Sequence, residues 1–253
     1  LGELSGSPAK ERLDNLLVKR ALAPSRSRAR DLIRRGAVRV DGQAALKAGQ
    51  LVSMDAGLDV AEDAVRYVSR GAIKLIAALD AFAFDPSGGN ALDVGASTGG
   101  FTQVLLERGA SHVTCVDVGR NQMANALRND SRVQVLEGTD ARDLTRQRLP
   151  GQITAIVADV SFISLTKALP RALKLAAPGC WLVALIKPQF EVGPANVGKG
   201  GIVRNEGVRM GAVEAVQNWL ERQPGWTVTD IIEAPISGSD GNQEYLVGAI
   251  FSF

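Results

Sequence analysis

Lys74, Asp159, Lys187 and Glu244 place two ammonium groups and two carboxylates in apolar stretches of the sequence. Each alone suits a structural salt bridge. As a set, at the ends of predicted elements, they suit removal of a proton from a weakly acidic hydroxyl. A desolvated lysine beside a second ammonium favours the neutral amine, which can act as a base. Lys187 would be that base, with Lys74 and Glu244 orienting the hydroxyl and the lysine. Asp159 would balance charge and hold Lys187, and much of the rate would come from alignment.

A second group surrounds Gly95-Ala96-Ser97-Thr98-Gly99-Gly100, and three chemistries compete for it. Gly95 to Gly99 matches the G-x-S-x-G nucleophile elbow, which needs an acid and then a histidine downstream. The single histidine, His112, precedes every late acid, so the hydrolase order fails. A dinucleotide site wants G-x-G-x-x-G, and Ser97 replaces the glycine that admits a pyrophosphate, which disfavours NAD. The third reading is S-adenosylmethionine, whose carboxylate would face the N-terminus of the following helix. Asp93 would lie near the methionine portion, Asp117 would accept the ribose hydroxyls, and Asp140 would meet the adenine amino group. Gly95, Ser97, Thr98, Gly99, Gly100 and Phe101 would form the turn, with Asp159 near the sulfonium. Caps and turn glycines occur in any Rossmann-like domain, but acids at three separate strand ends favour the methyl donor.

The elements that must hold these groups alternate. Strands are expected at Ala91–Gly95, His112–Val118, Val133–Leu136, Ile153–Ala158 and Trp181–Ile186, with helices at Phe101–Arg108 and Leu165–Leu175. Such alternation predicts an α/β, doubly wound parallel sheet with its ligands at the strand C-termini. Lys74 lies on a helix before the first of these strands. After a helix at Val208–Leu220, strands at Trp226–Ile232 and Tyr245–Phe251 have no helix between them, so they read as an antiparallel pair. Between Lys187 and that helix, 188–205 carries Gly193, Gly198, Gly200 and Gly201 with Lys199 and Arg204. It reads as a mobile loop closing over a phosphate-bearing substrate.

Charge divides the chain. Of 29 Lys/Arg and 27 Asp/Glu, 11 and 4 fall between Lys10 and Lys47, leaving 18 and 23 elsewhere. Such a cationic module suits a polyphosphate partner. Within it, Leu13, Leu16, Leu17 and Val18 have helical spacing, broken at Pro24-Ser25. A second helix capped by Ser25 carries Arg26, Arg28, Arg30, Arg34 and Arg35. Gly36, the strand Val38–Val40, the Asp41-Gly42 turn and short strands near Leu51 and Leu58–Val60 complete the module. With few aromatics, structured RNA bound through its backbone fits better than stacked single strands. The expected division is 10–65 for this module, a 66–70 linker and 71–253 for the sheet domain. Arg66-Tyr67-Val68 reads as a linker that could also relay RNA binding to the donor pocket. Leu1–Ala9 reads as a tail outside the fold.

No apolar run reaches the ~18 residues of a membrane span, and no signal peptide is evident. Cys115 and Cys180 fall in predicted buried strands, suiting a reducing cytoplasm. One histidine and no Cys/His cluster argue against a metal site.

These residues resemble known families. Arg12-Leu13-Asp14, Ser25-Arg26, Ala29-Arg30, Ile33, Gly36, Val38, Val40-Asp41-Gly42 and Lys47 are similar to the S4 RNA-binding domain. The Lys-Asp-Lys-Glu order resembles the FtsJ-like ribose 2′-O-methyltransferases. Joined to an S4 domain, it resembles the TlyA family of hemolysin-A-like rRNA methyltransferases, through Ser69-Arg70-Gly71, 93–102, 159–164, Lys187–Glu191 and Gly238 to Glu244. The resemblance implies a Rossmann-like class I methyltransferase sheet with a small N-terminal α+β S4 domain. It also implies 2′-O-methylation of cytidine in 16S or 23S rRNA, with ribosomal subunits as partners and no membrane. Arg12, Arg26, Arg28, Arg30, Arg34, Arg35 and Lys47 would contact the RNA. The rival readings are a non-catalytic assembly factor with a vestigial donor pocket and a membrane-lytic protein.

Overall fold

A computed structural model describes residues 9–23, 25–62, 66–238 and 240–252. Most of the expected tail, the break at Pro24 and the module end at Val65 lie outside the described residues. The chain divides into two units, Leu1–Arg70 and Gly71–Phe253.

In the first unit, strand β1 (Lys10–Arg12) leads into helices α1 (Leu13–Lys19) and α2 (Arg26–Arg34). Ser25 caps α2 by accepting from the Arg28 N–H, which satisfies one of the free donors every helix start carries. Strands β2 (Val38–Val40), β3 (Gln43–Ala44), β4 (Leu51–Ser53) and β5 (Leu58–Val60) form two small antiparallel sheets, β1–β4 and β3–β2–β5. Leu13, Leu16, Leu17, Ala29, Leu32 and Ile33 are buried as the helical spacing anticipates, and Val38 of β2 joins them in the core. The β1 pairing was not visible in the sequence, because Lys10, Glu11 and Arg12 carry no apolar alternation.

The second unit opens with α3 (Gly71–Phe82), followed by β6 (Asn90–Val94), α4 (Gly100–Glu107), β7 (His112–Asp117), α5 (Asn125–Arg128), β8 (Val133–Glu137) and β9 (Ile153–Ala158). Then come α6 (Leu165–Ala168), α7 (Pro170–Leu173), β10 (Ala176–Ile186), α8 (Pro188–Glu191), α9 (Glu206–Glu221), β11 (Trp226–Glu233) and β12 (Tyr245–Phe251). The single helix expected at Leu165–Leu175 is two short ones, because Pro170 has no N–H to continue the first. The seven strands lie in the order β11-β12-β10-β9-β6-β7-β8. From β8 to β10 neighbours are parallel, whereas β12 is antiparallel to both β10 and β11.

Alternation along the strands separates two faces. Leu92, Val94, Ile156, Ala158, Leu182 and Ala184 pack with residues of α6, α7 and α9 in one core. Asp93 and Cys115 point the other way, toward α4. The chain moves outward from β6 through β7 to β8, then returns to β9 on the opposite side of β6. A crevice opens at such a switch point beyond the strand C-termini, here between Val94 and Ala158, which are paired in register.

Candidate active site

Sheet register brings the four charged residues together. Ile186 pairs with Tyr245 in the β10–β12 ladder, so Lys187 and Glu244 are the next residues of adjacent antiparallel strands. Ala158 pairs with Ala184 in the β9–β10 ladder, so Asp159 leaves the sheet on the other side of Lys187. Lys74 comes from α3 and forms an ion pair with Glu244, both side chains being almost fully buried. Lys187 Nζ lies 2.6 Å from Asp159 Oδ1. That contact is ionic without hydrogen-bond alignment, since Oδ1 accepts no hydrogen bond; the hydrogen bond of Lys187 goes to Ser161 Oγ, at 2.9 Å. Burial pushes the Glu244 carboxyl above the usual range, opposed by Lys74 and Lys187. The predicted set is therefore two adjoining ion pairs, one buried and one at a rim.

Beside Asp159 lies a hollow of about 370 Å³, walled by Gly95, Ser97, Asp117, Asp140 and Asp159 together with Val118, Gly119 and Gln122. Volumes of this order hold small organic ligands. Gly95 has φ +82, and a Cβ there would come within 2.6 Å of the Asp159 carbonyl oxygen. Only glycine lets the turn after β6 lie against the end of β9. Asp117 Oδ2 accepts from the Ser97 N–H at 2.8 Å and Oδ1 from the Gly119 N–H at 2.7 Å. Asp140 caps a short 3-10 turn and pairs with Arg142, which holds its carboxyl below the usual range.

The remaining predicted donor residues do not face the hollow. Asp93 is fully buried beneath it, accepting from Thr102 Oγ1 at 2.6 Å. Its other oxygen has no partner, and burial raises the carboxyl to about 7. Phe101 is buried, because α4 turns it onto the sheet. Thr98, Gly99 and Gly100 shape the turn from behind: Gly99 has φ +94, and its Cβ position is filled by Leu127 and Met123.

A second hollow, of about 500 Å³, lies on the other side of Lys187 and is lined by Gln189, Phe190, Val197, Gly201, Asp240 and Glu244. Ser161 and Phe162 line both hollows. Phe162 is 90% exposed and has φ +65, a conformation rare for a bulky side chain. Its ring lies 5.2 Å from that of Phe190. Sequence reasoning read this Phe only as part of a motif; the available signal was an aromatic three residues beyond the strand-end acid Asp159.

The 188–205 segment is more ordered than a glycine count suggests. It contains α8 and a 3-10 turn at Pro194–Asn196. Asn242, itself buried, accepts from the Val203 N–H and donates to the Gly201 carbonyl, both at 2.9 Å.

In the first unit, the arginines expected on RNA meet two acids. Arg12, Arg26 and Arg30 converge on buried Asp14 at 3.0, 3.1 and 3.0 Å, and Arg12 above all holds its carboxyl well below the usual range. Arg28, Arg34 and Arg35 meet Asp31. Arg28 also donates to the Tyr67 carbonyl at 2.9 Å, and Arg35 to the Val68 carbonyl at 2.5 Å. The most exposed of the six is Arg34, at 81%. The expected linker is thus partly structural: Tyr67 is buried and its carbonyl is held. Among the described residues no group of side chains could hold a metal ion, and no helix is long and apolar enough to cross a membrane.

Comparison with known proteins gives two family matches, an FtsJ-like methyltransferase over residues 67–251 and an S4 domain over residues 11–58. A Mycobacterium tuberculosis protein named 16S/23S rRNA (cytidine-2′-O)-methyltransferase TlyA is 48% identical over 93% of this chain and 88% of its own. Hemolysin A of Brachyspira hyodysenteriae is 38% identical over 93% of this chain and 98% of its own. A solved structure named "Putative hemolysin from Streptococcus thermophilus" superposes with a TM-score of 0.75 at 36% identity, covering 97% of this chain and 90% of that one.

Proposed function

We propose, from the premise that this chain belongs to the FtsJ-like methyltransferase family and joins an S4 domain to it, that it methylates the ribose 2′-hydroxyl of cytidine in ribosomal RNA. The observation that carries the reading is the pair of hollows meeting at Ser161 and Phe162, with Lys187 lining the second and touching Asp159 and Ser161 of the first. The M. tuberculosis relative, named for this activity on 16S and 23S rRNA, supports the choice of cytidine and of both subunits. Residues 10–65 would dock structured RNA and residues 71–253 would catalyse, with 66–70 between them. The place of action would be the cytoplasm.

The residues present fit S-adenosylmethionine. Asp117 and Asp159 give the β6 crevice a negative potential that matches a sulfonium and an ammonium, and Asp93, buried beneath it, supports the turn through Thr102. Gly95 and Ser97 bring backbone to the wall, and Asp117 offers acceptors at the end of β7. Asp140 keeps its place on the same wall, and the turn Thr98, Gly99, Gly100 and Phe101 supports it from behind. When bound, S-adenosylmethionine supplies a methyl group on positively charged sulfur, open to in-line attack.

The chain's own residues prepare the acceptor. The nucleoside would occupy the second hollow, with Phe162 and Phe190 offering ring faces to its base. Its 2′-hydroxyl would face Lys187 and Glu244. Lys187 in its neutral form, its extra proton first given up to solvent, would take the hydroxyl proton at Nζ, while the 2′-oxygen would gain the methyl group and the donor would leave as a neutral thioether. Asp159 and Ser161 hold that nitrogen, and Lys74 keeps Glu244 in place. Arg12, Arg26, Arg28, Arg30, Arg34 and Lys47 would form the cationic surface for RNA phosphates, with Arg34 foremost, and Arg35, mostly buried against Asp31, would support it from beneath.

Transfer of tritiated methyl groups to ribosomal subunits tests this reading. The wild-type chain should label rRNA riboses, and Lys187→Ala should lower the rate by about 100-fold, within the usual worth of a general base. Unchanged labelling by Lys187→Ala would remove the base from the scheme. No labelling of either subunit by wild type would remove the function.

A further inference from the structure

The reacting groups sit on two loops: Asp159, Ser161 and Phe162 follow β9, whereas Lys187 and Phe190 follow β10. One half-buried carboxylate outside the four charged residues connects them. Glu191 ends α8, four positions after Lys187. Its Oε2 accepts from Ser164 Oγ at 2.5 Å and its Oε1 from the Leu165 N–H at 2.9 Å.

Leu165 opens α6, where free N–H groups need acceptors. Ser164 supplies one, accepting from the Thr166 N–H at 3.2 Å. Glu191 completes that cap from a different segment of the chain. Burial raises the Glu191 carboxyl above its usual range, and the two donors oppose the shift.

The loop is therefore held at both ends. At its start the Asp159 N–H donates to the Val94 carbonyl at 3.0 Å. At its end stands Glu191. Between them, Ser161 accepts the Lys187 hydrogen bond and Phe162 keeps φ +65. A backbone conformation of that kind persists only where its surroundings over-determine it. Phe190, next to Glu191, touches the Phe162 ring, so adjacent residues grip the loop at two points.

We propose that Glu191 is a positioning residue for methyl transfer, fixing the Ser161–Phe162 turn against Lys187. The inference rests on the assignment of Lys187 as base. Loss of the carboxylate leaves the Leu165 N–H without its acceptor and the Ser164 hydroxyl with Thr166 Oγ1 alone, at 2.8 Å. The cap then relaxes, Phe162 leaves its left-handed conformation and Ser161 withdraws from Lys187. A displacement near 1 Å in a reacting array slows transfer by about 100-fold.

The test compares Glu191→Ala, Glu191→Gln and Ser164→Ala in the full chain. S-adenosylmethionine binding by calorimetry gives the number of competent sites, and turnover per site is measured with ribosomal subunits at saturation. Glu191→Ala should lose about tenfold to 100-fold in turnover per site, with the donor Kd within about threefold of wild type. A side chain that only supported folding would reduce the number of sites and leave turnover per site unchanged. Glu191→Gln can still accept from Leu165 and hydrogen-bond Ser164, so it should keep at least half of the wild-type turnover. Should Glu191→Ala fail to fold, Ser164→Ala removes one side of the same contact and should show a smaller loss of the same kind. Wild-type turnover per site in Glu191→Ala, or in both foldable variants, overturns the proposal. So does a Glu191→Gln as slow as Glu191→Ala, because the charge and not the cap would then be acting. A wild-type chain that binds donor but labels no rRNA would instead refute the functional reading.

Discussion

Lys187 gives its hydrogen bond to Ser161 Oγ at 2.9 Å, although Asp159 Oδ1 lies closer at 2.6 Å. The carboxylate supplies charge and the hydroxyl supplies direction. Ser161→Ala should therefore retain the ion pair and lose the aim of the amine. The expected result is a fall in kcat of about tenfold, at the low end for a misdirected general base. Single-turnover methyl transfer with bound donor measures it, and an unchanged rate would show that Asp159 alone orients Lys187.

The Lys74–Glu244 pair is buried on both sides. Removing one partner strands the other charge, which costs about 3–5 kcal/mol. Glu244→Ala should lower the urea midpoint accordingly. Lys74→Met combined with Glu244→Leu should regain most of that stability, since an apolar pair fills the same space without charge, yet turnover should stay lost. Recovery of both properties would make the pair purely structural.

Asp93 links stability to pH. Burial lifts its carboxyl from 3.8 to about 7, so between those values the folded chain holds a proton that the unfolded chain releases. The contribution to stability is complete below about 3.8 and is lost as pH rises through about 7. Asp93→Asn removes this dependence. Thermal melts should show the variant gaining on wild type between pH 5 and pH 8; a constant difference across that range would contradict the buried, protonated carboxyl.

The arginines of the first unit should separate by exposure. Arg34 is largely exposed, whereas Arg35 is mostly buried against Asp31 and the Val68 carbonyl. Arg34→Ala should weaken rRNA binding and reduce the salt dependence by about one phosphate contact. Arg35→Ala should leave the salt slope intact and lower the melting temperature. Binding titrations at several salt concentrations, beside thermal melts, distinguish the two.

The architecture was legible because strands and helices alternate and acids close the strands, and the last two strands lacked a helix between them. The four charged residues were legible as types, but their grouping into two pairs depends on the registers Ile186 to Tyr245 and Ala158 to Ala184. Phe162 was hidden because its outward direction follows from a backbone angle. Glu191 was hidden because its partners Ser164 and Leu165 are 27 and 26 residues away. The 188–205 segment looked loose because Asn242, which holds it, lies beyond α9 and β11. The arginine cluster looked free because charge was counted without its acceptors, although the spacing of Arg28, Asp31 and Arg35 marks one helix face.

The missing Cβ at Gly95 has a mechanical meaning. With the Asp159 carbonyl where a side chain would stand, the two segments have no clearance in which to slide past each other. Any shift that a ligand imposes on the β6 turn must be passed directly to the backbone that carries Asp159. An occupied donor crevice would thus tighten the seat of Lys187 before any RNA arrives, and filling the first site becomes part of readying the second.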